Sequence, residues 1–184
     1  MTNSDVTSQT IPKHISQLQC GLGWDAQAET ELDLDMAVLA LDAHDRLVNG
    51  KEGFIYAGHP RHVSDAIQLL NDSITGDGDG DDEQLLIRLL VLPDTIKKLI
   101  FVVNINCGES QQQDFSQTQN AFWRLLDKSS RQVLLNCSLS NSQWEGITTL
   151  FVAELARGTE QWQLSAHLEA SPLKNLNQLL HQYS

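Results

Sequence analysis

QLLIRLLV at residues 84–91 and IKKLIFVVNI at residues 96–105, parted by Leu92-Pro93-Asp94, decide the fold class of this chain. Each is an apolar run of strand length, and the Pro-Asp separator is strong turn punctuation. The same rhythm extends outward in both directions. Upstream, MAVLAL at 36–41 reads as a short buried strand, and the imperfect alternation of Ile15, Leu18, Cys20 and Leu22 suggests a first one. Residues 42–53 carry turn chemistry, 54–57 form another short strand, and 63–70 are ambiguous between strand and helix. Downstream, polar 111–119 suits a short helix. Strands follow over 122–126, 132–139, 148–157 and 161–168, with Gly158-Thr159-Glu160 as the hairpin connection between the last two. LKNLNQLLHQY at 173–183 has helical spacing at Leu173, Leu176, Leu179 and Leu180.

About nine short strands at such spacing predict an all-β fold: a β-sandwich of two mainly antiparallel sheets with short peripheral helices. At 184 residues the chain suits one domain with a full core. Residues 1–14 read as a disordered leader, Ser/Thr-rich over 1–13, ahead of a domain over 15–184 that closes with a helix. In a sandwich the loops gather at the sheet ends, where an ion site is readily built.

One such loop stands out. Residues 72–83 read DSITGDGDGDDE: six carboxylates, three glycines and no Lys or Arg. Packed without counterions, each close pair of charges would repel by roughly 1 to 4 kcal/mol. Water or a cation must therefore attend the cluster. Carboxylates are hard oxygen ligands suited to Ca2+ or Mg2+, and alternating glycines let the backbone wrap an ion closely. A bound divalent ion is the leading reading, and an acidic solvated loop is the alternative. The EF-hand is excluded. Counted from Asp77, position 6 is Asp82 where Gly belongs, and position 12 is Arg88 where the bidentate carboxylate belongs. A tandem nonapeptide calcium repeat is excluded too, because nothing here repeats.

A second acidic segment, GLGWDAQAETELDLD at 21–35, places Asp25, Glu29, Glu31, Asp33 and Asp35 ahead of an apolar run. In extended chain Asp33 and Asp35 share a face about 7 Å apart, which suits one ion if the backbone bends, or two side by side. Two acidic segments that both abut strands point to a joint site.

GLGWD at 21–25, LDLDMAVLAL at 32–41 and TGDGDGDDE at 75–83, in this order and spacing, resemble the TerD family of tellurium-resistance and stress-response proteins. FVVNI at 101–105 and FSQTQNAFWRLLD at 115–127 resemble later segments of that family, and the resemblance spans about residues 20–180. It implies a β-sandwich that binds Ca2+ through the acidic loops, with no established catalytic activity. Carried onto this chain, it implies Asp25, Asp33, Asp35, Asp72, Asp77, Asp79, Asp81, Asp82 and Glu83 as candidate metal ligands for one or two Ca2+ ions. Asp33, Asp35, Asp77, Asp79 and Asp82 are the strongest of them. The chain departs from the family pattern at Ser73-Ile74, at 104–107 and over 1–19.

The expected function is that of a non-enzymatic calcium-binding stress protein, its ion-pinned loops forming a docking surface for other stress-response proteins. The alternative is a metal-dependent hydrolase or nucleotide-binding enzyme using the same carboxylates. A net charge of −12 argues against nucleic-acid and anionic-membrane partners. Neither a membrane span nor a signal-peptide core is visible, so the expected location is cytoplasmic, with peripheral membrane association only through partners. Cys20, Cys107 and Cys137 fit neither a disulfide framework nor a zinc site and read as small buried hydrophobes. His59 and His62, in H-P-R-H, read as a loop pair rather than a metal site, because Pro60 disfavours the helix their spacing would need. Trp24, Trp123, Trp144 and Trp162 read as core or rim aromatics.

Overall fold

The computed structural model describes residues 8–25, 32–71 and 80–184. Eleven strands form among them: β1 (Ser8–Thr10), β2 (Gln17–Gly23), β3 (Leu34–Leu41), β4 (Phe54–Ile55), β5 (Ile67–Asn71), β6 (Glu83–Arg88), β7 (Lys98–Ile105), β8 (Phe122–Asp127), β9 (Val133–Ser138), β10 (Thr149–Arg157) and β11 (Trp162–Ala170). Two helices join them, α1 (Gly108–Gln111) and α2 (Leu176–Tyr183). One sheet runs β1-β11-β10-β7-β3-β4 and the other β5-β6-β2-β8-β9. Every strand pair in both is antiparallel. The expected β-sandwich is what forms, with the ambiguous 63–70 segment contributing β5.

Side-chain alternation builds the core. In β2, Leu18, Cys20 and Leu22 turn into the sandwich, as do Leu85 and Ile87 of β6 and Trp123 and Leu125 of β8. Met36, Val38 and Ala40 of β3 meet them from the other sheet, beside Leu99, Phe101 and Val103 of β7. β3 is apolar on its other face as well. There Ala37, Leu39 and Leu41 lie with Phe54 and Val102 beneath Leu179 of α2, flanked by Leu173, Leu176, Leu180 and Tyr183. That second layer explains why 36–41 is continuously apolar: a strand covered on both faces has no polar side to show. It also gives the closing Leu-rich stretch its task, which spacing alone does not disclose. Asn175 caps α2 by accepting from the Gln178 N–H at 3.0 Å, while the Gln178 side chain accepts from the Lys174 N–H at 2.7 Å. Such reciprocal bonds satisfy donors that a helix start leaves open. The Leu47 N–H closes the far end on the Tyr183 carbonyl at 2.7 Å.

Two expectations need correction. The expected disorder of residues 1–14 does not hold over 8–14, where Ser8–Thr10 pairs with Gln163–Ser165 of β11 and Ile11 is buried with its N–H on the Trp162 carbonyl; residues 1–7 lie outside the described residues. An edge strand is held by backbone bonds and tolerates wholly exposed polar side chains, so polarity alone misread it. Cys20 and Cys137 are buried as expected, whereas Cys107 is exposed, in a left-handed turn (φ 54°) that ends β7. Among the described residues no helix is long and apolar enough to cross a membrane.

Candidate functional site

The starts of β3 and β6 meet at one corner of the sandwich. Glu83 has the same parity as Leu85 and Ile87, so its side chain points between the sheets and is fully buried. A carboxylate so placed needs donors. Its Oε2 accepts the Met36 N–H at 2.8 Å, reaching from β6 in one sheet to β3 in the other. β4 pairs with Val38 and Leu39 only, so among the described residues this end of β3 has no strand neighbour on that side. Next to it, Asp82 donates its N–H to the Leu22 carbonyl at 2.8 Å, and its Oδ2 accepts the Trp24 N–H at 2.9 Å. The Trp24 indole Nε1–H in turn donates to the Leu32 carbonyl at 3.0 Å. Trp24 thereby ties residue 24 to residue 32 within the second acidic segment.

Asp33 and Asp35 open β3. Asn106 reads Asp33 twice, donating its backbone N–H to the Asp33 carbonyl at 2.8 Å and its Nδ2–H to Oδ2 at 3.0 Å. Asp35 lies opposite Asn104 of β7. Asn104 is buried, and its Nδ2 donates to the Thr148 carbonyl (2.8 Å) and Thr149 Oγ1 (2.7 Å). Beside the two aspartates a groove of about 600 Å3 opens, lined also by Tyr56, Asn106, Glu109 and Lys174. Asp25 is exposed at the rim, where its Oδ2 accepts from Asn120 Nδ2 and its N–H donates to the Gln119 carbonyl.

Asp81 faces elsewhere. The chain bends at Gly80 (φ 113°), and the Asp81 side chain, only 2% exposed, lies against the outer face of β2. There Oδ1 sits 2.8 Å from Arg124 Nη2 of β8, in an ion pair rather than an aligned hydrogen bond. Gly21 makes the room, since a Cβ on it would fall 2.3 Å from Asp81 Oδ1. Gly23 does the same for the Gly80 carbonyl, at 2.4 Å. Burial, and secondarily the Asp81 charge, push the Cys20 thiol well above its usual range.

Asp33, Asp35, Asp82 and Glu83 are thus set at one corner by contacts among residues 22–24, 32–36, 80–83 and 104–106. Asp25 stands at its rim, and Asp81 turns away to Arg124. Asp72, Asp77 and Asp79 lie outside the described residues. Among the described residues alone, no three His, Cys, Asp or Glu side chains come together as a metal-holding group. Sequence reasoning missed Arg124, Asn106 and Lys174. For Arg124 a signal existed: strand alternation sets it on the face opposite Trp123, directly across from Gly21.

His62 is fully buried, and its Nδ1 accepts the Ser64 N–H at 3.1 Å. Its Nε2 is buried without a hydrogen-bond partner among the described residues, and His59 Nε2 lies 3.4 Å from Glu52. Burial first, and then His59, hold the His62 imidazole below its usual range, while Glu52 opposes them. The two histidines sit in a loop, as expected, and their ring nitrogens face different partners.

The chain matches the family model for the TerD domain over residues 3–183. It is 34% identical over 182 residues to the stress response protein SCP2 of Bacillus subtilis (strain 168), covering 92% of this chain and 90% of that protein. To the tellurium resistance protein TerD of Alcaligenes sp it is 32% identical over 161 residues, covering 86% and 82% respectively. Among solved structures, a homologue of the telluride resistance protein TerD from Streptomyces coelicolor A3(2) superposes with a TM-score of 0.76 at 20% identity, over 92% of this chain and 98% of that one. That last likeness is one of fold.

Proposed function

This chain belongs to the TerD family, and from that premise we propose that it is a non-enzymatic Ca2+-binding stress-response protein. Its acidic loops, pinned by one or two ions, form a docking surface for other stress-response proteins, and it acts in the cytoplasm. The donors present fit such an ion. Asp33 and Asp35 supply hard oxygens at the mouth of a groove, and Asn106 holds Asp33 in place. Asp82 and Glu83 take backbone N–H groups, which orient them, and a carboxylate has lone pairs enough to accept more than one partner. Asp77 and Asp79, with Asp25 and Asp72 flanking, would supply the remaining side-chain oxygens. A bound divalent cation would offset the mutual repulsion of these groups.

The bond from Glu83 to the Met36 N–H carries the reading. It fixes the end of one acidic segment to the start of the strand that bears the other, so the two are built to act together. Calorimetric titration of chelator-stripped protein with Ca2+, and separately with Mg2+, tests it. Mg2+ demands near-ideal octahedral geometry and holds its water, whereas a Gly-rich carboxylate loop suits the larger ion. Ca2+ should bind at least roughly tenfold more tightly. Equal or reversed affinities would count against the proposal.

The groove beside Asp33 and Asp35 favours one second reading, a metal-dependent hydrolase or nucleotide-binding enzyme using the same carboxylates. A metal-dependent turnover of phosphoesters, lost in Asp35→Asn, would establish that reading instead.

A further inference from the structure

We infer that Arg124 is the positioning residue of the acidic loop: it holds Asp81 against β2 and so keeps that carboxylate out of the ion's ligand set. The inference rests on the calcium reading above and names a residue that neither composition nor acidic patterning singles out.

Four observations converge on it. Arg124 and Gly21 are direct cross-strand partners, so the guanidinium leaves β8 over a position of β2 that has no side chain. The Asp81 carboxylate fills that gap, 2% exposed and 2.8 Å from Nη2. Arg124 itself lies over the Phe122 ring, 5.4 Å from its centroid, which restricts where its charge can go. One residue further on, the Asp82 N–H is fixed to the Leu22 carbonyl, so Gly80–Asp82 is held to β2 from both sides.

The consequence is a division of labour within D-D-E. Asp81 turns outward to a permanent cation, while Asp82 and Glu83 turn toward Trp24 and Met36. A buried carboxylate that keeps its own counterion has little to gain from a metal, and removing that counterion leaves the charge uncompensated. Arg124 therefore acts on the ion through the backbone it anchors, without contacting it.

The test uses the full chain, stripped of metal, as wild type, Arg124→Gln, Arg124→Lys, Asp81→Asn and the pair Asp81→Asn/Arg124→Gln. Amide hydrogen exchange at Asp82, without calcium, reads the anchor alone and should be at least tenfold faster in Arg124→Gln. Calcium titration should show affinity reduced about tenfold in Arg124→Gln with unchanged stoichiometry, and reduced less in Arg124→Lys. The neutral pair should recover most of the loss, which no ligand role for Asp81 predicts. Unchanged exchange at Asp82 overturns the inference. So does equal or tighter calcium binding by Arg124→Gln, or a pair that binds no better than Arg124→Gln. If wild type takes up no Ca2+ while exchange at Asp82 responds as expected, the calcium reading fails and the ligand-excluding role falls with it. Should wild type bind and Arg124→Gln bind equally well, only the present inference fails. Arg124→Lys keeps the test decisive if Arg124→Gln does not fold.

Discussion

Glu83 Oε2 accepts the Met36 N–H at 2.8 Å, and this bond crosses from one sheet of the sandwich to the other. A fully buried carboxylate on a backbone donor makes a charge-assisted bond, roughly twice as strong as a neutral one. Glu83→Ala would leave the Met36 N–H without its acceptor and open a void, with an expected loss of about 2 to 4 kcal/mol. Glu83→Gln retains an oxygen able to accept and should lose less. Urea unfolding in chelator measures both. An alanine variant within the roughly ±0.5 kcal/mol typical of surface changes would show that the bond does not hold the corner.

The same bond predicts coupling between the acidic segments. If they share ions, Asp35→Asn and Asp79→Asn should each weaken calcium binding, and the double variant should fall well short of the summed losses. Residues in one network commonly depart from additivity by about 0.5 to 3 kcal/mol. Strictly additive losses in calorimetry would mean two independent sites.

α2 yields a prediction of a different kind. Leu179 is fully buried with Leu39 and Phe54 on the outer face of the larger sheet, and it does not itself line the groove beside Asp33 and Asp35, which the start of α2 borders at Leu176 and Asn177. Leu179→Ala should cost about 2 to 5 kcal/mol as a cavity-forming change. Calcium affinity of the fraction that remains folded should not change. An affinity loss matching the stability loss would tie the helix to the site.

The contrast between α2 and Asp81 shows where sequence reading succeeds and stops. Short apolar runs, alternation and turn residues gave nearly every strand, because each is a local pattern answering to the faces that the strand buries. The ordinary spacing of Leu176, Leu179 and Leu180 gave a helix but not its place, since which sheet face lacks a cover depends on contacts distant in sequence. The acidic motifs marked Asp33, Asp35, Asp82 and Glu83, and the structure brings their segments to one corner. Asp81 shares their composition yet faces the other way, because a bend at Gly80 and the absent side chain of Gly21 decide its direction. Ser8–Thr10 was missed for the related reason that an edge strand needs no apolar signal.

His62 predicts a pH dependence. Its imidazole is held below its usual value of 6.5, chiefly by burial, with His59 adding and Glu52 opposing. A group whose folded pKa is depressed contributes stability above the unfolded value and loses it as pH falls toward the folded one. Stability should therefore decline from about pH 6.5 downward, by at most about 1.4 kcal/mol per pH unit for a single proton. In His62→Asn, where the amide oxygen can take the place of Nδ1 before the Ser64 N–H, that decline should flatten. Chelator-buffered unfolding between pH 7 and 5 measures it. Parallel curves for the two proteins would show that His62 is not the source of the decline.

Calcium should also act on the fold itself. With 24 Asp and Glu against 12 Lys and Arg, six of the acids within residues 72–83, the cation-free chain folds against its own repulsion. The assembled corner exists only in the folded state, so the ion should favour that state by mass action. Free Ca2+ at about 100 times its dissociation constant then adds roughly 2.7 kcal/mol. For a domain of this size that raises the melting midpoint by several degrees. Sodium chloride at matched ionic strength should recover only part of the rise, because screening weakens repulsion without supplying a coordinated charge. Thermal scans of the stripped protein with CaCl2, and with NaCl at equal ionic strength, separate the two. A full rise in NaCl alone would reduce the acidic corner to a charge cluster and remove the ion from the proposal.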